Sequence, residues 1–156
     1  MTDILYKEAT STDIPEIVEL KLAMFVESCH ADKLDENAKE IILEDYLRLY
    51  VDNQAQHFVA RKGNRILGCV GAFVKNDLPY RYYKYPAYGF IGDVYTVPDS
   101  RNMGLSTKLN EMALIWLRRK GIATVKLLSS EAGRPIYEKL GFKSTDEMSI
   151  TFTFTT

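Results

Sequence analysis

Asp93-Val94-Tyr95-Thr96-Val97-Pro98-Asp99-Ser100-Arg101-Asn102-Met103-Gly104-Leu105-Ser106-Thr107-Lys108-Leu109 is the stretch on which the reading of this chain turns. It starts as an apolar strand, breaks at Pro98, crosses a short polar loop and resumes after Gly104 as a helix. A strand that feeds a helix through a tight loop aims several backbone N–H groups at one spot. The first turn of any helix has four N–H groups without internal partners, and the helix dipole adds partial positive charge there. Such a turn is suited to a phosphate or pyrophosphate. The loop lacks the Lys-Ser/Thr ending of a nucleotide P-loop and the Gly-x-Gly-x-x-Gly of a dinucleotide fold.

Around it the chain is ordinary in bulk. A length of 156 residues fits one domain, taken as 1–156, with room for a real core. Hydrophobic content of 46% and charged content of 26% belong to a globular protein, and a net charge of −1 gives no global reason to expect nucleic acid or an anionic membrane. The N-terminal MTDILYKEATSTD has no apolar signal core, and no apolar run reaches bilayer length. Cys29 and Cys69 are far apart and form no metal or redox spacing. A cytoplasmic protein with reduced thiols, using no metal, is the expectation.

Outward from the central stretch, periodicity places the elements. Leu105, Leu109, Met112, Ala113, Trp116 and Leu117 share one helical face, and Arg118-Arg119-Lys120-Gly121 closes that helix with cations and a glycine cap. Thr124–Leu128 reads as a strand, Ala132–Leu140 as a short helix, and Met148–Phe154 alternates toward a last strand. Upstream, Ile4–Ala9 reads as a strand. Ile14, Ile17, Val18, Met24 and Phe25 recur at helical spacing, with Lys21 the polar exception, and a second helix covers about 35–51. His57–Arg61 and Ile66–Val74 form a hairpin around Gly63-Asn64, and Gly68 and Gly71 mark a bulge or a close approach. Tyr88–Val97 is the central strand. The order β-α-α-β-β-β-α-β-α-β predicts an α/β (α+β) domain with a mixed, mostly antiparallel sheet flanked by about four helices.

Arg101-x-x-Gly104-x-Ser106 after Val97-Pro98, followed by Tyr137-Glu-Lys-Leu-Gly141-Phe142, resembles the GNAT-type N-acetyltransferase superfamily. The spacing of the two motifs and the element order carry the resemblance over nearly the whole chain. It departs from the family at Ser106, usually Gly or Ala, and at Ser130 and Gly133, often Asn and Ala. The resemblance implies that the loop amides bind the pyrophosphate of acetyl-CoA, through Asn102, Met103, Gly104, Leu105, Ser106 and Thr107, with Arg101 holding the loop or meeting a phosphate. It places Tyr95, Thr96 and Val97 along the pantetheine arm, with the main chain of Val97 and a neighbouring N–H polarising the thioester carbonyl. Ser130 takes over part of a cofactor contact. Tyr137 is the general acid for the departing thiolate and also touches the cofactor, with a buried packing role as the alternative.

Asp93 is expected to serve as base, or else to recognise substrate charge or make a structural hydrogen bond; Glu27 and Glu131 are weaker base candidates. Glu27, His30, Tyr83 and Asp93 are expected at the acceptor site, and His57 is read as structural. The thiols of Cys29 and Cys69 are read as small apolar groups, not acetyl carriers. The Tyr-rich 78–88 segment suits either an acceptor pocket or a homodimer contact. The function implied is direct attack of a primary amine on acetyl-CoA in a ternary complex. The amine belongs to a small molecule or amino-acid-like acceptor, with a protein N-terminus or lysine as the alternative. A non-catalytic acyl-CoA-binding domain is the reading from another class.

Overall fold

The computed structural model describes residues 3–76 and 84–154, and the strand Ala55–Lys62 (β2) shows how they layer. Phe58 and Ala60 point to one side of the sheet, His57 and Val59 to the other, and all four are buried. Both faces are therefore covered, and the apolar run is nearly continuous. The sheet is completed by β1 (Leu5–Glu8), β3 (Arg65–Asn76), β4 (Ala87–Thr96) and β5 (Val125–Leu127) in the spatial order β1-β2-β3-β4-β5. All pairings are antiparallel except β4 with β5. That exception follows from the connection: the helix α3 (Leu105–Arg119) carries the chain back across one face, so β5 returns in the direction of β4.

On the α3 face, Leu105, Leu109, Ala113 and Leu117 pack against Phe58, Leu67, Val70 and Ile91. On the opposite face α1 (Ile14–Glu27) and α2 (Ala38–Val51) bury Ile14, Ile17, Val18 and Tyr46 against Val59, Ile66 and Cys69. A short helix, α4 (Arg134–Lys139), follows β5. The expected class and element order hold, with one correction: residues 143–154 form neither helix nor strand. Met148, Ile150, Phe152 and Phe154 do alternate, but they are 68–96% exposed. Alternation needs a partner ladder to become a strand, and no ladder forms beyond the three-residue β5. The Tyr-rich segment lies largely outside the described residues, Tyr83 included.

Two irregularities in the sheet prepare the site. Between Cys69↔Tyr95 and Gly71↔Gly92 the register shifts, with two β4 residues facing one β3 residue. This is a bulge at Asp93-Val94, and Asp93 takes φ +54°. Regular alternation would send Asp93 to the α3 face with Ile91; the extra residue turns it toward α1 and α2 instead. Beside the bulge, paired with Gly92, sits Gly71. A Cβ there would lie 2.8 Å from Phe73 Cε2 and 2.9 Å from His57 Nε2. The glycine lets His57 on β2 reach Asp93 on β4 across β3. Gly71→Ala should therefore lower stability by about 1–3 kcal/mol through overpacking, read as a fall in the urea midpoint at unchanged m-value; an unchanged midpoint would refute the close approach.

Candidate active site

β4 and β5 are paired only at Gly89–Ile91 with Val125–Leu127. Beyond that the two strands part, and Gly92–Thr96 of β4 has no strand partner on that side. The gap opens into a cleft of about 940 Å³ that runs between α1, β4 and the segment after β5. The loop 97–104 follows β4, just beyond Tyr95, the last β4 residue that lines the cleft. Pro98–Ser100 makes a single 3-10 turn, Asn102 takes φ +63°, and Gly104 takes φ +76° as the residue that opens α3. No side chain caps this end of α3. A Cβ on Gly104 would meet nothing within 4 Å, so the glycine serves the left-handed turn, and the approach to the amides of Leu105, Ser106 and Thr107 stays open. Asn102, Met103 and Thr107 are exposed and Leu105 is buried in the core.

Arg101 holds the loop. Its guanidinium pairs with Glu27 through Nη1–Oε1 at 2.7 Å and Nη2–Oε2 at 2.8 Å, and its Nε donates to Thr96 O at 3.0 Å. Tyr95 Oη donates to the same Glu27 carboxylate at 2.9 Å. These bonds hold the Glu27 carboxylate below its ordinary range and tie the end of α1 to the loop. One expected role changes. The N–H of Val97 donates to Leu67 O at 2.9 Å, so it is already spent within the sheet and is not a free donor for a thioester carbonyl.

The floor of the cleft is a buried polar network. The Asp93 carboxylate accepts from Lys21 Nζ and Tyr46 Oη, and from His57 Nε2 at 2.8 Å. The His57 main-chain N–H donates to Tyr50 Oη at 2.8 Å, and the same hydroxyl lies 2.9 Å from His57 Nδ1, so Tyr50 holds both the backbone and the ring of the histidine. Burial alone would raise the Asp93 carboxyl, but the hydrogen bonds and charges of His57 and Lys21 more than offset it and hold the group ionised well below the usual carboxylate range. The same burial and the Asp93 charge push the Tyr46 and Cys69 protons toward higher pH, so the Cys69 thiol stays neutral. His57 was expected to be structural, and it is fully buried. Periodicity alone did not reveal Lys21 and Tyr46 as its companions, although Lys21 had already stood out as a lysine on an apolar stripe.

Opposite β4, Tyr137 on α4 reaches into the same cleft beside Ser129 and Ser130. Its ring packs edge-on against Phe142 at 5.9 Å, and burial raises its phenol, which keeps the proton on at neutral pH. Ser130 Oγ accepts from Gly133 N at 3.1 Å and so braces the turn into α4. A Cβ on Gly133 would lie 3.0 Å from Tyr137 Cε2, which gives the glycine at this position a packing reason. Glu27 and His30 line the cleft near its mouth, whereas Glu131 is exposed and is not part of its lining. Among the described residues no cluster of His, Cys, Asp and Glu is placed to hold a metal, and no helix is long and apolar enough to cross a membrane.

Known proteins share this fold. The sequence model of the acetyltransferase (GNAT) family matches residues 14–142. No curated protein matches. Among solved structures, a predicted acetyltransferase with acetyl-CoA from Clostridium acetobutylicum is 22% identical, with 96% of each chain covered and a TM-score of 0.84. An aminoglycoside N-acetyltransferase in complex with CoA is 14% identical, covering 98% of this chain and 96% of that one at a TM-score of 0.76. A glucosamine-6-phosphate N-acetyltransferase from Arabidopsis thaliana is 16% identical, covering 98% and 99% at 0.73. With the family model matching residues 14–142, most of its length, the chain belongs to the GNAT acetyltransferase family.

Proposed function

We propose that this acetyltransferase moves an acetyl group from acetyl-CoA to the primary amine of a small molecule, by direct attack with both reactants in the cleft. The observation that carries the reading is the parting of β4 from β5. Along that parting lie unpaired β4 backbone and Tyr137, and the loop that opens α3 follows β4 directly, tied by Arg101 to Glu27 of the cleft wall. The residues suit acetyl-CoA: the amides at Met103–Thr107 face an uncapped, uncluttered turn, which fits a pyrophosphate. A pantetheine arm would lie along β4 beyond Ile91, where that strand has no partner on the β5 side. When bound, acetyl-CoA supplies the acetyl group already activated as a thioester.

The other half of the cleft takes the acceptor. Met24, Phe25, Phe73 and Phe90 give it apolar walls, and Lys21 enters at the floor. A walled pocket of this kind suits a small amine better than a protein chain. Two of the similar solved structures are, by name, N-acetyltransferases of aminoglycosides and of glucosamine-6-phosphate, which are small molecules too.

Tyr137 Oη holds the proton that the departing sulfur takes. Its raised pKa keeps that proton in place until a strong base develops beside it. Asp93 is less suited to removing the amine's proton. Its carboxylate is saturated by Lys21, Tyr46 and His57 and stays ionised far below neutrality. We assign it instead to anchoring Lys21 and the cleft floor. Juxtaposition of the two reactants then supplies much of the acceleration.

Two measurements test these roles. In a thiol-release assay over a panel of small amines, Tyr137→Phe should lower kcat at least ten-fold while the dissociation constant for CoA moves less than three-fold; equal kcat removes the acid role. Release from none of the amines, with CoA still bound, would favour a non-catalytic binder. For Asp93, a carboxyl depressed in the folded state stabilises above its unfolded pKa of about 4, and that stabilisation is lost as pH falls below it. Asp93→Asn should therefore cost about 3–5 kcal/mol at pH 7 in urea unfolding, and the gap to the wild type should narrow at pH 3. A gap that does not change with pH would contradict the assignment.

A further inference from the structure

The inner face of α3 is apolar except at Asn110, which is fully buried. Its Nδ2 donates to Ser106 O at 2.8 Å and to Ser106 Oγ at 3.2 Å. The orientation is fixed by chemistry. A main-chain carbonyl cannot donate, so the amide nitrogen faces it. The amide oxygen Oδ1 is then left buried with no hydrogen-bond partner among the described residues. Burying a carbonyl in this way is unfavourable, and a leucine would fill such a place without that penalty.

The arrangement makes sense from the side of Ser106. A serine within a helix ordinarily turns its hydroxyl back to the carbonyl three or four residues earlier. Ser106 is the second residue of α3, and the positions behind it belong to the loop at Asn102 and Met103, outside the helix. Its Oγ accepts from Asn110, so its one proton is free. Accepting a hydrogen bond also polarises the O–H and strengthens it as a donor. Ser106 is half-buried beside the open amides of the first turn. We propose that Asn110 is a positioning residue that fixes Ser106 Oγ as an acceptor, so that the hydroxyl proton adds a side-chain donor to the anion cradle at the start of α3. The inference rests on the reading of that cradle as the coenzyme A pyrophosphate site. It gives the serine a place where glycine or alanine would leave only amides.

The test is a double-mutant cycle on the full chain, with CoA titrated calorimetrically and thermal unfolding recorded for each variant. Ser106→Ala should weaken CoA by roughly ten-fold, the scale of a hydrogen bond to a charged group. Ser106→Thr, which keeps the hydroxyl, should bind within about three-fold of wild type. Asn110→Leu should weaken CoA by several-fold, and Asn110→Ala makes the same comparison if the leucine variant does not fold. In the Ser106→Ala background the Asn110 substitution should cost nothing further, because Asn110 acts through the hydroxyl. Equal losses in both backgrounds would overturn the positioning role, as would unchanged CoA affinity in folded Asn110 variants. Failure of the wild-type chain to bind CoA is a different result: it would remove the cofactor reading itself, and this inference with it.

Discussion

The structure depends on one buried carboxylate. Asp93 sits in the middle of a sheet, where a lone charge would be strongly disfavoured, and it is tolerated because Lys21, Tyr46 and His57 converge on it from α1, α2 and β2. Each partner comes from a different element, so this one group ties both helices of one layer to the sheet. The contact needs a bulge that turns Asp93 toward those helices and a glycine at 71 that leaves the way clear for His57. A regular strand would have placed the aspartate on the α3 face, against an apolar helix.

The same bulge lies beside the point where β4 loses its parallel neighbour. Pairing with β5 ends at Ile91, and the strand runs on unpaired to Thr96. The cleft follows from this parting, since two strands that diverge leave backbone with no internal partner. One end is closed by the Arg101–Glu27–Tyr95 contacts, which join the loop to α1. Opposite, Tyr137 is set by its packing on Phe142 and by the small Gly133 behind it. Electrostatics divides the region in two. The start of α3 carries helix amides with no side-chain cap, while the floor of the cleft is a network that pairs its charges within the protein.

Much of the site was visible before folding. Gly104 could be read as the point where a helix opens, because an amphipathic run follows it; its left-handed φ of +76° came only with the fold. Gly71 could be flagged as a close approach, but not what approaches it. Lys21 broke an apolar stripe and so announced itself without naming its partner. Asn110 gave no signal: an asparagine beside Leu109 reads as the edge of the apolar face, and only the packed helix puts it inside. The alternation at Met148–Phe154 was genuine, yet it produced no strand, because pairing depends on a partner that local sequence does not describe.

What the sequence determined by itself is therefore local in its causes. Helical and strand periods, the breaks at Pro98 and Gly104, and two motifs at a fixed spacing set the family, the order of elements and the cradle, because each depends on residues close along the chain. The tertiary structure decided what depends on distant residues meeting. It joined Asp93 to His57 across 36 positions and to Lys21 across 72. It spent the Val97 amide on Leu67, and it made the carboxylate a fixed anion where the sequence had left a base, a substrate contact and a structural hydrogen bond all open. The physical reason is that protonation and hydrogen-bond capacity are set by burial and by which donors converge, and neither is fixed until the layers pack.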